Sequence, residues 1–190
     1  MKDEQAWAQL QQRCQGCGAC GLRKERKNLV FGQGNPFAKV LMIVPAPTVA
    51  GGRQLLGGAE GTLFWELLSL GGITPEQVYV SSVVKCPVPK GRKALHLEQN
   101  TCLPWLRAQT KLLSPKVIVC LGQESLSVIM GEELSMAQCH GQWFIRRGVE
   151  MMGMYHPEDL LQDQTLRPQG FADIKSLEQK MKQLRMTSNK

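Results

Sequence analysis

Seven cysteines in 190 residues constrain this chain more than any other feature. Cys14, Cys17 and Cys20 sit in one glycine-containing stretch, CQGCGAC, each separated from the next by two residues. Cys86 and Cys102 lie far downstream, in KCPVP and NTCLPW. Thiols close in sequence, joined by thiols that folding delivers, can surround one soft centre. Thiolates favour zinc or an iron–sulfur cluster over hard ions. Such a centre would tie the head of the chain to its middle.

The first residues, MKDEQAWAQLQQ, are polar and helical in character rather than a secretory leader. No apolar run approaches the roughly 20 residues of a membrane span. The expectation is a soluble, cytoplasmic protein without membrane association. In a reducing compartment seven cysteines argue for metal binding over a disulfide framework, and the odd number leaves at least one thiol outside any pairing. A net charge of +7 and a pI of about 9.2 favour polyanionic partners such as nucleic acid. Only 6% of residues are aromatic, which argues against an extended stacking platform for single strands.

The length fits one domain over residues 1–190, with residues 1–28 supplying a helix and a metal-binding loop. Apolar runs predict buried strands at 40–44, 77–86 and 116–122. A hairpin is expected from 142–147 and 149–154 around Arg147-Gly148. Helical spacing predicts helices at 3–13, 62–70, 96–113, 123–131 and 171–185, with a turn or short helix at 156–161. Strands alternating with helices mean an α/β sandwich around a parallel sheet. In such sheets ligands sit beyond the carboxyl ends of the strands. The loops PAPTVAGG, KCPVPKGRK and YHPEDLL meet that condition, and the last places His156 there. Cys120 reads as a small core residue and Cys139 as incidental. Arg23, Lys24, Arg26 and Lys27 form a basic run beside the thiol loop: a solvated surface, or a phosphate contact.

The segments CGACGLRKERKNLVFGQGNPFAKVLMIV, VYVSSVVKCPVPKGR, PKVIVCLG and MYHPEDLL together resemble the iron–sulfur (family 4) uracil-DNA glycosylases, in order along nearly the whole chain. The resemblance implies a three-layer α/β sandwich with a central, mostly parallel four-stranded sheet. It also implies a [4Fe–4S] cluster on Cys17, Cys20, Cys86 and Cys102, since the pair in register with Asn28 and Gly32 is Cys17 with Cys20. Cys14 with Cys17 is the alternative pair, and structural zinc is the alternative metal. DNA is the implied partner. Lys85 and Arg92, which flank the cysteine loop, and His156 are the candidate DNA contacts.

The family's base-reading pocket is altered here. The loop that carries an acidic residue reads Val44-Pro45-Ala46-Pro47-Thr48, so the acid position is Pro45, which cannot accept a proton. Leu55, in Gly52-Arg53-Gln54-Leu55-Leu56-Gly57, stands where the family stacks an aromatic on uracil. Ser82 stands where an asparagine reads the base edge, with one hydroxyl against an amide's donor and acceptor. His156 of the His-Pro motif is kept. A general base contributes on the order of 10²–10⁴-fold, and each lost base contact about 1–3 kcal/mol. On this count uracil excision is expected to be lost. The chain then resembles a DNA-associated structural subunit, such as the psi subunit of bacterial DNA polymerase III. AWAQLQQ is similar to psi's Trp-containing clamp-loader peptide, and LLSLGGITPEQVYVSS to a helix–turn–strand passage of psi. Trp7 would then anchor a clamp-loader or repair protein. The alternative is an active DNA glycosylase with a divergent pocket, working through His156.

Overall fold

The computed structural model of the chain describes residues 2–24, 26, 28–47, 54–89, 92–131 and 134–186. Lys27, and the Thr48 and Gly52-Arg53 positions of the pocket motifs, lie outside the described residues. Six strands form one sheet: β1 (Gln33–Gly34), β2 (Val40–Val44), β3 (Val78–Ser82), β4 (Val117–Leu121), β5 (Trp143–Arg146) and β6 (Val149–Met154). Their order is β1-β3-β2-β4-β6-β5.

The inner four strands are parallel, and the two edge strands pair antiparallel. The expected four-stranded sheet is therefore the parallel centre of a mixed, six-stranded one. VLMIV and VIVCL read as unbroken apolar runs because both of their faces are covered. β1 is two residues long and polar, too short to leave a pattern in the sequence. The β5–β6 hairpin turns as expected on Arg147 (φ 52°) and Gly148 (φ 77°), the positive dihedrals of a two-residue turn.

Helices α1 (Lys2–Gln15), α3 (His96–Leu113), α4 (Gln123–Met130) and the short α5 (Met136–Cys139) lie on one face. Helices α2 (Gly58–Leu70), α6 (Pro157–Gln162) and α7 (Arg167–Gln183) lie on the other. Strand residues divide between the two. Val40, Met42 and Val44 pack with Phe64, Leu68, Ile174 and Leu177. Leu41 and Ile43 pack with Leu106, Leu113 and Leu126. Each fully buried aliphatic side chain contributes about 1.5–3 kcal/mol.

Three boundaries differ from the sequence reading. α2 begins at Gly58, four residues early. α7 begins at Arg167, because Pro168 suits a first turn. β3 ends at Ser82, and residues 83–86 bend away to deliver Cys86. α3 keeps its course through Pro104 and carries Cys102.

Trp7 meets Phe31 and Tyr79 edge-on, with ring centroids 5.5 and 5.1 Å apart. The half-buried indole thus helps hold α1 against the sheet. Among the described residues, no helix is long and apolar enough to cross a membrane.

Candidate functional site

Two features gather the chemistry. The first is a thiol-lined pocket beside α3. Cys17 and Cys20 come from the loop after α1, Cys86 from the bend after β3, and Cys102 from α3; all four line one pocket, with Arg26 and Trp105. Arg26 donates from Nη1 to the Cys86 sulfur at 3.3 Å and from Nη2 to the Gln15 carbonyl at 3.2 Å. The Lys85 backbone N–H donates to the Cys102 sulfur at 3.2 Å. Burial raises the Cys86 thiol above its ordinary pKa, while the Arg26 guanidinium pulls it down. Burial pushes Cys102 up to about 11. Cys14 does not line this pocket: it is fully buried with Leu10 and Phe31, and burial pushes it up to about 12. No three His, Cys, Asp or Glu side chains among the described residues meet at single-ion spacing.

Lys85 departs from expectation. Its side chain is 0% exposed, and its ammonium donates to Ser81 Oγ at 2.6 Å and to the Ser82 carbonyl at 2.8 Å. Ser81 in turn donates to Gln109 Oε1, and Gln109 Nε2 to the Phe31 carbonyl. Burial holds the Lys85 pKa down to about 8. A side chain so enclosed cannot reach a phosphate, so the DNA-contact expectation for Lys85 is corrected. Arg92 stays at the surface but is forked onto Glu98, at 2.8 and 2.9 Å.

The second feature lies at the carboxyl ends of the parallel strands. β2 runs into Pro45-Ala46-Pro47, β3 into Val83, β4 into Gly122 and β6 into Tyr155-His156. His156 caps α6: its Nδ1 accepts from the Glu158 N–H at 3.2 Å, and its own N–H donates to Asp159 Oδ2 at 3.0 Å. Pro157 opens the helix behind it. Burial holds the imidazole neutral, with its pKa down to about 4. Gly122 has φ +82°, and a Cβ there would stand 3.1 Å from the Cβ of His156. Glycine is what lets the two strand ends approach.

On the same face, the Ser82 hydroxyl is sealed from solvent and has no hydrogen-bond partner among the described residues. Leu55 and Leu56 are 0% and 2% exposed, so the residue at the aromatic's place is core-packed. Glu60, in the first turn of α2, was missed by the sequence reading. Its Oε2 is enclosed and has no hydrogen-bond partner among the described residues, and burial, then the Glu158 charge, raises its pKa. The only signal for it was a carboxylate opening a helix between two glycines.

The mostly parallel α/β sheet is consistent with a uracil-DNA glycosylase-like fold, and the chain belongs to that superfamily: residues 31–181 match the family described as the uracil DNA glycosylase superfamily. It is similar to a type-4 uracil-DNA glycosylase of Thermotoga maritima, 34% identical over 163 residues, covering 82% of this chain and 83% of that one. A type-4 uracil-DNA glycosylase of Pyrobaculum aerophilum is 32% identical over 176 residues, covering 87% and 89%. A type-5 uracil-DNA glycosylase of the same organism is 30% identical over 147 residues, covering 67% and 64%.

Proposed function

We propose that this protein is a DNA glycosylase of base-excision repair, with a divergent pocket and a structural [4Fe–4S] cluster. The observation that carries it is His156, a buried neutral imidazole fixed at the carboxyl end of β6 in a chain of this superfamily. Because Nδ1 accepts from Glu158, the ring proton sits on Nε2. A neutral Nε2–H donor can stabilise negative charge on the oxygen of a departing base without itself ionising. The Ser82 hydroxyl, which has no partner among the described residues, is enclosed at the end of β3 and would meet a base edge only if the strand ends open. Pro45 removes the acid that would activate water, so excision is expected to be slow or aimed at a base other than uracil.

Cys17, Cys20, Cys86 and Cys102 would hold the cluster. The donor set fits: four soft sulfurs from three separate segments, with N–H donors from Arg26 and Lys85 on two of them. When bound, the cluster supplies a structural clamp on the loop after α1. DNA, the proposed substrate, would be met at the strand ends.

A second reading, a DNA-associated subunit that excises nothing, is favoured by Pro45 together with the core-packed Leu55. Single-turnover assays on uracil-, hypoxanthine- and xanthine-containing oligonucleotides decide between them. Excision abolished in His156→Ala supports the glycosylase; no excision of any of the three by protein that retains its iron supports the second reading.

A further inference from the structure

With proline at position 45, excision lacks a group that can take a proton from water. Another carboxylate comes to the same end of the sheet. Glu60 is the first carboxylate in the chain after β2. β2 leads through residues 45–57 into α2, and β6 leads through His156 into α6, so both helices begin beyond the carboxyl ends of parallel strands. α2 packs against α6. Glu60 stands in the first turn of α2 and Glu158 in the first turn of α6. The Glu158 N–H is the one that donates to His156 Nδ1, at 3.2 Å.

The start of α2 is held in place. The Leu55 N–H donates to Gln33 Oε1 of β1 at 2.9 Å. Gly61 is buried, and a Cβ there would stand 2.7 Å from the Leu56 carbonyl oxygen, so glycine is what lets the first turn close onto this segment. In this frame Glu60 Oε2 is enclosed without a hydrogen-bond partner among the described residues, while the residue as a whole is only half-buried, at the edge of solvent. An enclosed carboxylate oxygen left unpaired costs stability, and such departures gather at functional sites.

We propose, resting on the glycosylase reading, that Glu60 is the general base of excision and stands in for the acid absent from position 45. The Glu60 carboxylate takes a proton from the water whose oxygen bonds to C1′ of the flipped deoxynucleotide. The bond from C1′ to the base nitrogen breaks, and its electron pair leaves with the base. The Nε2–H of His156 meets the charge that develops on the base oxygen. The water's other proton stays on the new C1′ hydroxyl, and the proton on Glu60 passes to the base anion, which departs neutral. Burial, with the Glu158 charge behind it, moves the Glu60 pKa up toward the range in which a base works at neutral pH. The other titratable groups at the start of α6 are Asp159, whose Oδ2 accepts from the His156 N–H, and the neutral imidazole itself.

The test is single-turnover excision by the intact, iron-containing protein on the uracil, hypoxanthine and xanthine oligonucleotides, from about pH 5 to about pH 9, beside thermal melts. Glu60→Gln is expected to slow excision about 10²–10⁴-fold, to remove the acid limb of the pH–rate profile, and to melt no lower than wild type at neutral pH, because the unpaired charge is gone. Glu60→Asp should keep the acid limb at a reduced rate. Excision by Glu60→Gln at the wild-type rate, or with the acid limb intact, overturns this role alone. So does a lost rate accompanied by a lowered melting temperature, the mark of a structural residue. A wild type that excises none of the three bases overturns both this role and the glycosylase reading.

Discussion

Arg26 reaches across the thiol pocket and donates to the sulfur of Cys86 at 3.3 Å, while its other amino group holds the end of α1 through Gln15. One guanidinium thus bridges the two chain segments that the cysteines bring together. Cys86→Ser is expected to abolish visible absorption and iron content and to lower stability by about 3 kcal/mol or more, since cluster binding energy is also folding energy. Arg26→Leu should keep the iron but release it sooner to a chelator. Iron analysis and thermal melts of the same preparations check both.

Cys14 separates the two ligand sets. It is buried with Leu10 and Phe31 and does not line the pocket. Cys14→Ala should retain full iron content and cost about 1 kcal/mol from the small void it leaves. Loss of iron in this variant, measured beside Cys20→Ala, would move the ligand from Cys20 to Cys14.

His156 gives a pH signature. Its folded pKa of about 4 lies below the ordinary 6.5, so between those values the unfolded chain binds more protons. The contribution is complete above pH 6.5 and is lost as pH falls toward 4, up to about 3 kcal/mol. Denaturant titrations should show wild type losing stability relative to His156→Gln across that window. Parallel curves for the two proteins would contradict a buried neutral imidazole.

The approach of Gly122 to His156 is equally exposed to test. At φ +82° and 3.1 Å, a methyl group meets both backbone strain and a clash. Gly122→Ala is expected to cost about 1–3 kcal/mol and to move the His156 ring resonances in NMR.

Lys85 yields a prediction about DNA. Its ammonium is enclosed by Ser81 and the Ser82 carbonyl. Lys85→Met should therefore leave unchanged the slope of log affinity against log salt, because no phosphate counterion is released through it. A shallower slope by about one unit would restore its assignment to DNA.

The parallel centre of the fold was readable because β2 and β4 are buried on both faces and so are written as unbroken apolar runs. The turn at Arg147-Gly148 was readable from its residues. β1 was not, since two residues carry no period. Lys85 misled for a physical reason: a lysine ordinarily lies at the surface, and here a network from Gln109 and Ser81, formed only on folding, offsets its desolvation. Glu60 was invisible for the same cause, because its enclosure comes from the packing of α2 on α6. His156 was placed correctly by its motif and its position after the last parallel strand, but its role as a helix cap needed the coordinates.

The thiol pocket also sets an order of events during synthesis. Cys17 and Cys20 leave the ribosome early, yet Cys86 emerges some sixty-odd residues later and Cys102 only with the second half of the chain. Until α3 is outside the exit tunnel, the head of the protein has nothing to close upon. On the proposed cluster, iron delivery would wait on translation, and a nascent chain stalled before α3 would offer an incomplete set of sulfurs, Cys17, Cys20 and Cys86, to whatever oxidant arrives first.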